Sequence, residues 1–145
     1  MHNARVPRVT VFIPTYNRAK LLAHSIRGVL EQTFDDLRLV VSDNASEDET
    51  PEVVASFDDP RLEYVRQPRN LGLLGNHNWF LERVETDYAL ILADDDLVYP
   101  TLLERAVAEL DRRPRAGVAH AAFDRHDTFA LIFSPAGGAS PQHHG

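Results

Sequence analysis

The sequence predicts an open α/β fold, Rossmann-like, with a mainly parallel sheet and helices on both faces. Two observations carry this expectation. Short β-branched, apolar runs alternate with amphipathic stretches of helical period from residue 9 to residue 123. Such alternation suits parallel strands, because parallel neighbours need crossover connections and right-handed ones dominate. The second sets the scale: 145 residues with 43% apolar content accommodate one domain with a real core.

Residues 9–13 form the first strand, expected to halt at Pro14, which lacks a ladder donor. Residues 18–32 place Leu22, Ile26, Val29 and Leu30 on one helical face. A second strand, 37–41, ends in the turn formers Ser42, Asp43, Asn44 and Ser46. Thr50 before Pro51 starts a short helix with Val53 and Val54 inward. Residues 62–65 read as a brief strand, 67–75 as a loop, and 76–84 as a helix burying Trp79, Phe80 and Val84. The run 88–93 is the clearest strand. A helix over 100–113 then turns Leu102, Leu103, Ala106, Val107 and Leu110 inward, and 118–123 reads as a last buried strand. Residues 134–145, rich in Pro and Gly, are expected to be disordered.

Composition removes several function classes. With 15 basic against 22 acidic residues the net charge is −7, the wrong sign for a nucleic-acid binder. The absence of cysteine removes disulfide scaffolds, thiol catalysis, zinc ribbons and iron–sulfur sites, and fits a reducing cytoplasm. Residues 1–7 carry no apolar leader, and the longest apolar run, 88–93, is too short to cross a bilayer. The chain reads as soluble, with attachment to a membrane surface left open.

In open α/β sheets ligands bind beyond the carboxyl ends of the strands. Three strand ends are rich in polar groups: Pro14, Thr15, Tyr16 and Asn17; Ser42, Asp43 and Asn44; and Asp94, Asp95 and Asp96. Three adjacent carboxylates repel one another, and a divalent cation relieves that repulsion. Oxygen ligands favour Mg²⁺ or Mn²⁺, which fill their remaining positions with water and substrate phosphates. An extended backbone would send Asp94 and Asp96 to one side and Asp95 to the other. The competing reading is a solvated acidic turn before a helix. Asp43 is either a turn former or a ligand contact. Arg69 is either a solvated charge or a partner for a phosphate or a base carbonyl. Gly72 and Gly75 match neither a dinucleotide fingerprint nor a P-loop, and the seven histidines share no metal-ligand spacing.

Taken in order, the segments VTVFIPTYNR from Val9, VVSDNAS from Val40, RNLG from Arg69 and ADDD from Ala93 resemble the family-2 glycosyltransferases from about Val9 to Phe123. The resemblance implies a GT-A fold and transfer of a sugar from a nucleotide-diphosphate donor, most often a UDP-sugar, with inversion at the anomeric centre. By the same resemblance Pro14, Thr15 and Tyr16 border the nucleobase, Asp43 holds it, and Arg69 lies near the base or diphosphate. Asp94 and Asp95 approach the ribose and sugar; Asp96, with Asp94, takes the Mn²⁺ or Mg²⁺. The acceptor would be a glycan, a lipid-linked molecule or a protein, and the setting the cytoplasm, including the inner face of the membrane.

Inverting relatives draw their general base from a second half, and Asp124 and Asp127 are poor candidates for it. The expectation is therefore a donor-binding half over 1–127, truncated before an acceptor half, followed over 128–145 by an apolar segment and tail. Residues 128–133, lacking partners of their own, would promote self-association. The alternative from another class is a nucleotide-sugar-binding module without turnover. A receiver-type phosphoacceptor domain needs an acidic pair where Tyr16 and Asn17 stand, and a nucleotidylyltransferase needs a glycine-rich loop there.

Overall fold

The computed structural model describes residues 5–120 and 131–135. In chain order these form β1 (Val9–Thr15), α1 (Ala19–Leu30), β2 (Leu37–Asp43), α2 (Thr50–Ala55), β3 (Leu62–Arg66) and α3 (Gly72–Leu81). They continue with β4 (Tyr88–Ile91), α4 (Leu102–Arg112), β5 (Val118–His120) and β6 (Leu131–Phe133). The sheet order is β3-β2-β1-β4-β6-β5. The first four strands are mutually parallel, and β6 runs antiparallel to both β4 and β5.

Helices cover both faces, which is why the central strands read as continuous apolar runs rather than alternating ones. Val9, Val11, Ile13, Leu39, Val41 and Leu90 pack toward Leu22, Ile26 and Val29 of α1, Val54 of α2, and Leu103, Val107 and Leu110 of α4. On the opposite face Phe12, Val40 and Ala89 meet Phe80 of α3, with the Phe12 and Phe80 rings stacked at 4.3 Å between centroids. The two-residue period of a strand thus sends Ile13 to one layer and Phe12 to the other.

Pro14 does not end the first strand; it pairs in register with Ser42. The Phe12 carbonyl accepts from Leu92 on the β4 side, whereas the Thr15 carbonyl accepts from Asn44 on the β2 side. Position 14 therefore faces β4, whose pairing with β1 has already ended at Phe12. Without an N–H, Pro14 cannot make the next bond to β4, so it closes that ladder while pairing with β2 carries β1 on to Thr15.

Other boundaries also move. Helix α3 starts at Gly72, inside the expected loop, and ends at Leu81, leaving Val84 beyond it and Trp79 only half-buried. The strand expected to be buried at 118–123 is the sheet edge, and Val118 is 53% exposed. From the segment expected to seek partners outside the fold, Leu131–Phe133 instead fills the sheet between β4 and β5, with Ile132 buried. The sheet thus draws on residues past 127. The rest of the expected last strand with Asp124 and Asp127, and nearly all of the expected disordered tail, lie outside the described residues.

Candidate functional site

At the carboxyl ends of β1, β2 and β4 the sheet opens into a cavity of about 680 Å³, within the usual range of small-molecule sites. Pro14, Thr15, Tyr16 and Arg18 form one side and Ala93, Asp94 and Asp95 another; Asn44, Asn70 and the Gly72, Leu73, Asn76 and His77 face of α3 complete the wall. Tyr16 is 44% exposed there, a flat aromatic surface at the rim.

Strand β4 stops at Ile91, and the chain turns at once, with the Asp96 amide donating to the Ala93 carbonyl. The turn overrides the alternation of an extended chain. Asp94 and Asp95 share the cavity wall, whereas Asp96 is absent from that lining and its carbonyl accepts from the Ser25 hydroxyl. Asp94 is buried and accepts from the Thr15 hydroxyl at 2.8 Å. Burial pushes its carboxyl above the ordinary aspartate range, against the pull of the Thr15 hydroxyl and Arg18. One Arg18 guanidinium nitrogen lies 2.7 Å from Asp95 Oδ2 and 3.6 Å from Asp94 Oδ1, and so bridges the two acids.

The end of β2 is built differently. Asp43 is fully buried: Oδ1 accepts from the Ser46 amide, and Oδ2 accepts from the Tyr64 hydroxyl at 2.5 Å and the Arg66 guanidinium at 2.9 Å. Burial and the Asp43 contact push the Tyr64 hydroxyl up to about 12. Asp43 thus lies outside the cavity lining and fixes the turn from which the next residue, Asn44, reaches the wall. Asn44 accepts from the Leu71 amide and donates to Asn70, whose side chain accepts from the Gly72 amide. These bonds hold the entry to α3, where Gly72 adopts φ +72°, a conformation that favours glycine. Asn76, also buried, accepts from the Ser42 hydroxyl and donates to its carbonyl, pinning α3 to β2.

Asp48 ties the rims together. Its carboxylate accepts from the Ala19 amide at the start of α1 and from the amide and hydroxyl of Thr50 at the start of α2. Burial alone would raise this carboxyl; the Thr50 hydroxyl and the two amides outweigh it and hold it below the ordinary range.

Of the residues singled out in the sequence, Pro14, Thr15, Tyr16, Asp94 and Asp95 come together around one cavity, with Asp43 buried outside its lining and Arg69 exposed in the loop before α3. Arg18, Asn76 and His77 also line the cavity. Arg18 follows the first strand's polar end directly, and Asn76 and His77 share a helix turn with Gly72 and Leu73, a signal that the expected loop over 67–75 conceals. Among the described residues no three His, Cys, Asp or Glu side chains gather into a metal cage. Two carboxylates side by side on an open wall nevertheless fit Mg²⁺ or Mn²⁺, which take one or two carboxylates and complete their shells with water and phosphate oxygen. Among the described residues no helix is long and apolar enough to cross a membrane.

Comparison with known proteins places this architecture. The chain is 36% identical over 118 residues to the GalNAc(5)-diNAcBac-PP-undecaprenol beta-1,3-glucosyltransferase of Campylobacter jejuni, spanning 79% of this chain and 37% of the relative. It is 32% identical over 127 residues to the succinoglycan biosynthesis protein ExoO of Rhizobium meliloti, spanning 88% of this chain and 35% of that one. The match thus spans little more than a third of either relative. Among solved structures, the mannosyltransferase PcManGT of Pyrobaculum calidifontis, in complex with GDP-Man and Mn²⁺, superposes with a TM-score of 0.78 at 25% identity, covering 90% of this chain and 45% of that one. S. aureus TarS superposes with a TM-score of 0.75 at 20% identity, covering 89% of this chain and 28% of that one. These neighbours are GT-A glycosyltransferases, so the fold is of that type. The model of the family described as Glycosyl transferase family 2 matches residues 10–134, and the chain belongs to that family.

Proposed function

We propose that this chain binds a nucleotide-diphosphate sugar and serves its transfer, with inversion, to a glycan, lipid-linked or protein acceptor. The observation that carries the proposal is the meeting of Pro14, Thr15 and Tyr16 with Asp94 and Asp95 across one cavity at the strand ends. Tyr16 offers the nucleobase an aromatic face. Asn44 and Asn70 stand at the same wall with amide groups suited to a base edge or a ribose hydroxyl. Asp94 and Asp95 accept hydrogen bonds from ribose and sugar hydroxyls. Asp43 supports the base site from behind, through the turn that carries Asn44. Arg69, exposed on the approach to the cavity, attracts the diphosphate.

Asp94 and Asp95, the two carboxylates on the cavity wall, would hold the Mn²⁺ or Mg²⁺, with Asp96 next to them in the turn. When bound, the cation supplies Lewis-acid stabilisation of the leaving nucleoside diphosphate. The mannosyltransferase neighbour, in complex with Mn²⁺ and GDP-Man, supports both the metal and the donor class. The name of the Campylobacter relative, which specifies a PP-undecaprenol-linked glycan, supports a lipid-linked acceptor.

The test is calorimetric titration of UDP and of GDP into the purified chain, with and without Mn²⁺, alongside Asp95→Ala and Asp96→Ala. Binding that requires Mn²⁺ and is lost in Asp95→Ala is the expected result. Neither nucleotide binding to a folded sample overturns the proposal. Binding kept in Asp95→Ala and lost in Asp96→Ala moves the metal role to Asp94 and Asp96.

A further inference from the structure

Building on the metal-dependent donor site, we infer that Arg18 is an exchangeable counter-ion: it neutralises Asp94 and Asp95 while the site is empty, yields them to the incoming divalent cation, and turns to the donor diphosphate. The geometry supplies the first part. A single guanidinium nitrogen reaches both acids, at 2.7 and 3.6 Å, in the place where a cation between them would have to stand. Two carboxylates this close, one of them buried, need a positive charge. Arg18 provides one unit of it, and a divalent ion provides two.

The second part rests on how Arg18 is held. Its backbone is fixed: the Arg18 carbonyl accepts the amides of Leu21 and Leu22 at the start of α1. Its side chain is half exposed and its ion pairs are with Asp94 and Asp95 on the cavity wall, so it can leave them without unpacking the core. A cation and Arg18 cannot both occupy the space between Asp94 and Asp95 without mutual repulsion. Displaced, the guanidinium remains a cavity-wall residue facing the volume a diphosphate would enter, and a planar fork of donors suits phosphate oxygens. The charge ledger then closes locally. Arg18 offsets the acids in the empty site and the diphosphate in the loaded one.

The exchange makes a prediction that a merely structural arginine does not: one substitution shifts two affinities in opposite directions. Arg18→Gln should bind Mn²⁺ alone about tenfold more tightly than the wild type, by electron paramagnetic resonance of free Mn²⁺. The same variant should bind UDP or GDP in saturating Mn²⁺ about tenfold more weakly, by calorimetry. Arg18→Lys, which keeps the charge without the fork, should fall between the two in both measurements. Unchanged Mn²⁺ affinity in Arg18→Gln, or nucleotide affinity equal to wild type, overturns the exchange while leaving the donor site standing. Failure of the metal reading has a different signature, with no Mn²⁺ bound by wild type, Arg18→Gln or Asp95→Asn; that result overturns both.

Discussion

Two acidic strand ends flank β1 at the top of this sheet, and they are built to opposite purposes. Asp43, at the end of β2, is fully buried and has both oxygens taken by Ser46, Tyr64 and Arg66. Asp94, past the end of β4, is also buried but abuts the cavity, and its carboxyl is pushed up because burial outweighs its partners. A carboxylate whose hydrogen bonds are all internal holds a loop in place. One left short of charge compensation at a cavity wall is available to a ligand. The difference lies in the supply of donors: β3 brings Tyr64 and Arg66 alongside Asp43, whereas the side chains set against Asp94 are Thr15 and the half-exposed Arg18.

The sharpest way to break this contrast is to remove each acid. Asp43→Ala leaves the Ser46 amide and Tyr64 hydroxyl without their acceptor inside the fold, and urea unfolding should show a loss of about 3 kcal/mol. Asp94→Asn should do the reverse. A carboxyl whose folded pKa is raised costs stability once pH exceeds its unfolded value, so the neutral isostere should melt at the same temperature or higher at pH 7. The same variant should bind nucleotide in Mn²⁺ at least about tenfold more weakly.

Smaller effects sharpen the comparison at the rim. Asp48→Ala frees the starts of two helices and should cost about 1–2 kcal/mol. Because the Asp48 carboxyl is held low, its stabilisation is present above the ordinary aspartate range and is lost as pH falls through its depressed value. Wild type and variant should therefore converge in acid denaturation. Tyr64→Phe should cost about 1 kcal/mol at neutral pH. With the Tyr64 hydroxyl raised from 10.0 to about 12, its stabilisation is complete below pH 10 and disappears as pH rises through about 12, an alkaline limb the Phe variant should lack.

The alternation of apolar runs was legible because both faces of the sheet are covered, so β1, β2 and β4 are mostly apolar, and α1 and α4 show clear helical faces. What escaped depends on distant partners. The start of α3 is set by Asn44, far back in the chain, and by Asn70, so Gly72 reads locally as a loop residue. Pro14 looks like a strand end until the shorter reach of β4 is known. Edge position likewise cannot be seen in residues 118–120; only the insertion of β6 between β4 and β5 puts them there. At the site, residue types announced the acids and the Pro14–Tyr16 turn. Which acid is sealed and which is open follows from β3 lying beside β2, a fact of topology.

The most direct test of the central claim is a map of amide chemical-shift changes on titrating the ¹⁵N-labelled chain with UDP or GDP and Mg²⁺. The account predicts that the largest shifts fall on Thr15, Tyr16, Arg18, Asn44, Gly72 to His77, and Ala93 to Asp95, with α4 and β5 unmoved. Saturable shifts centred away from these strand ends would contradict it.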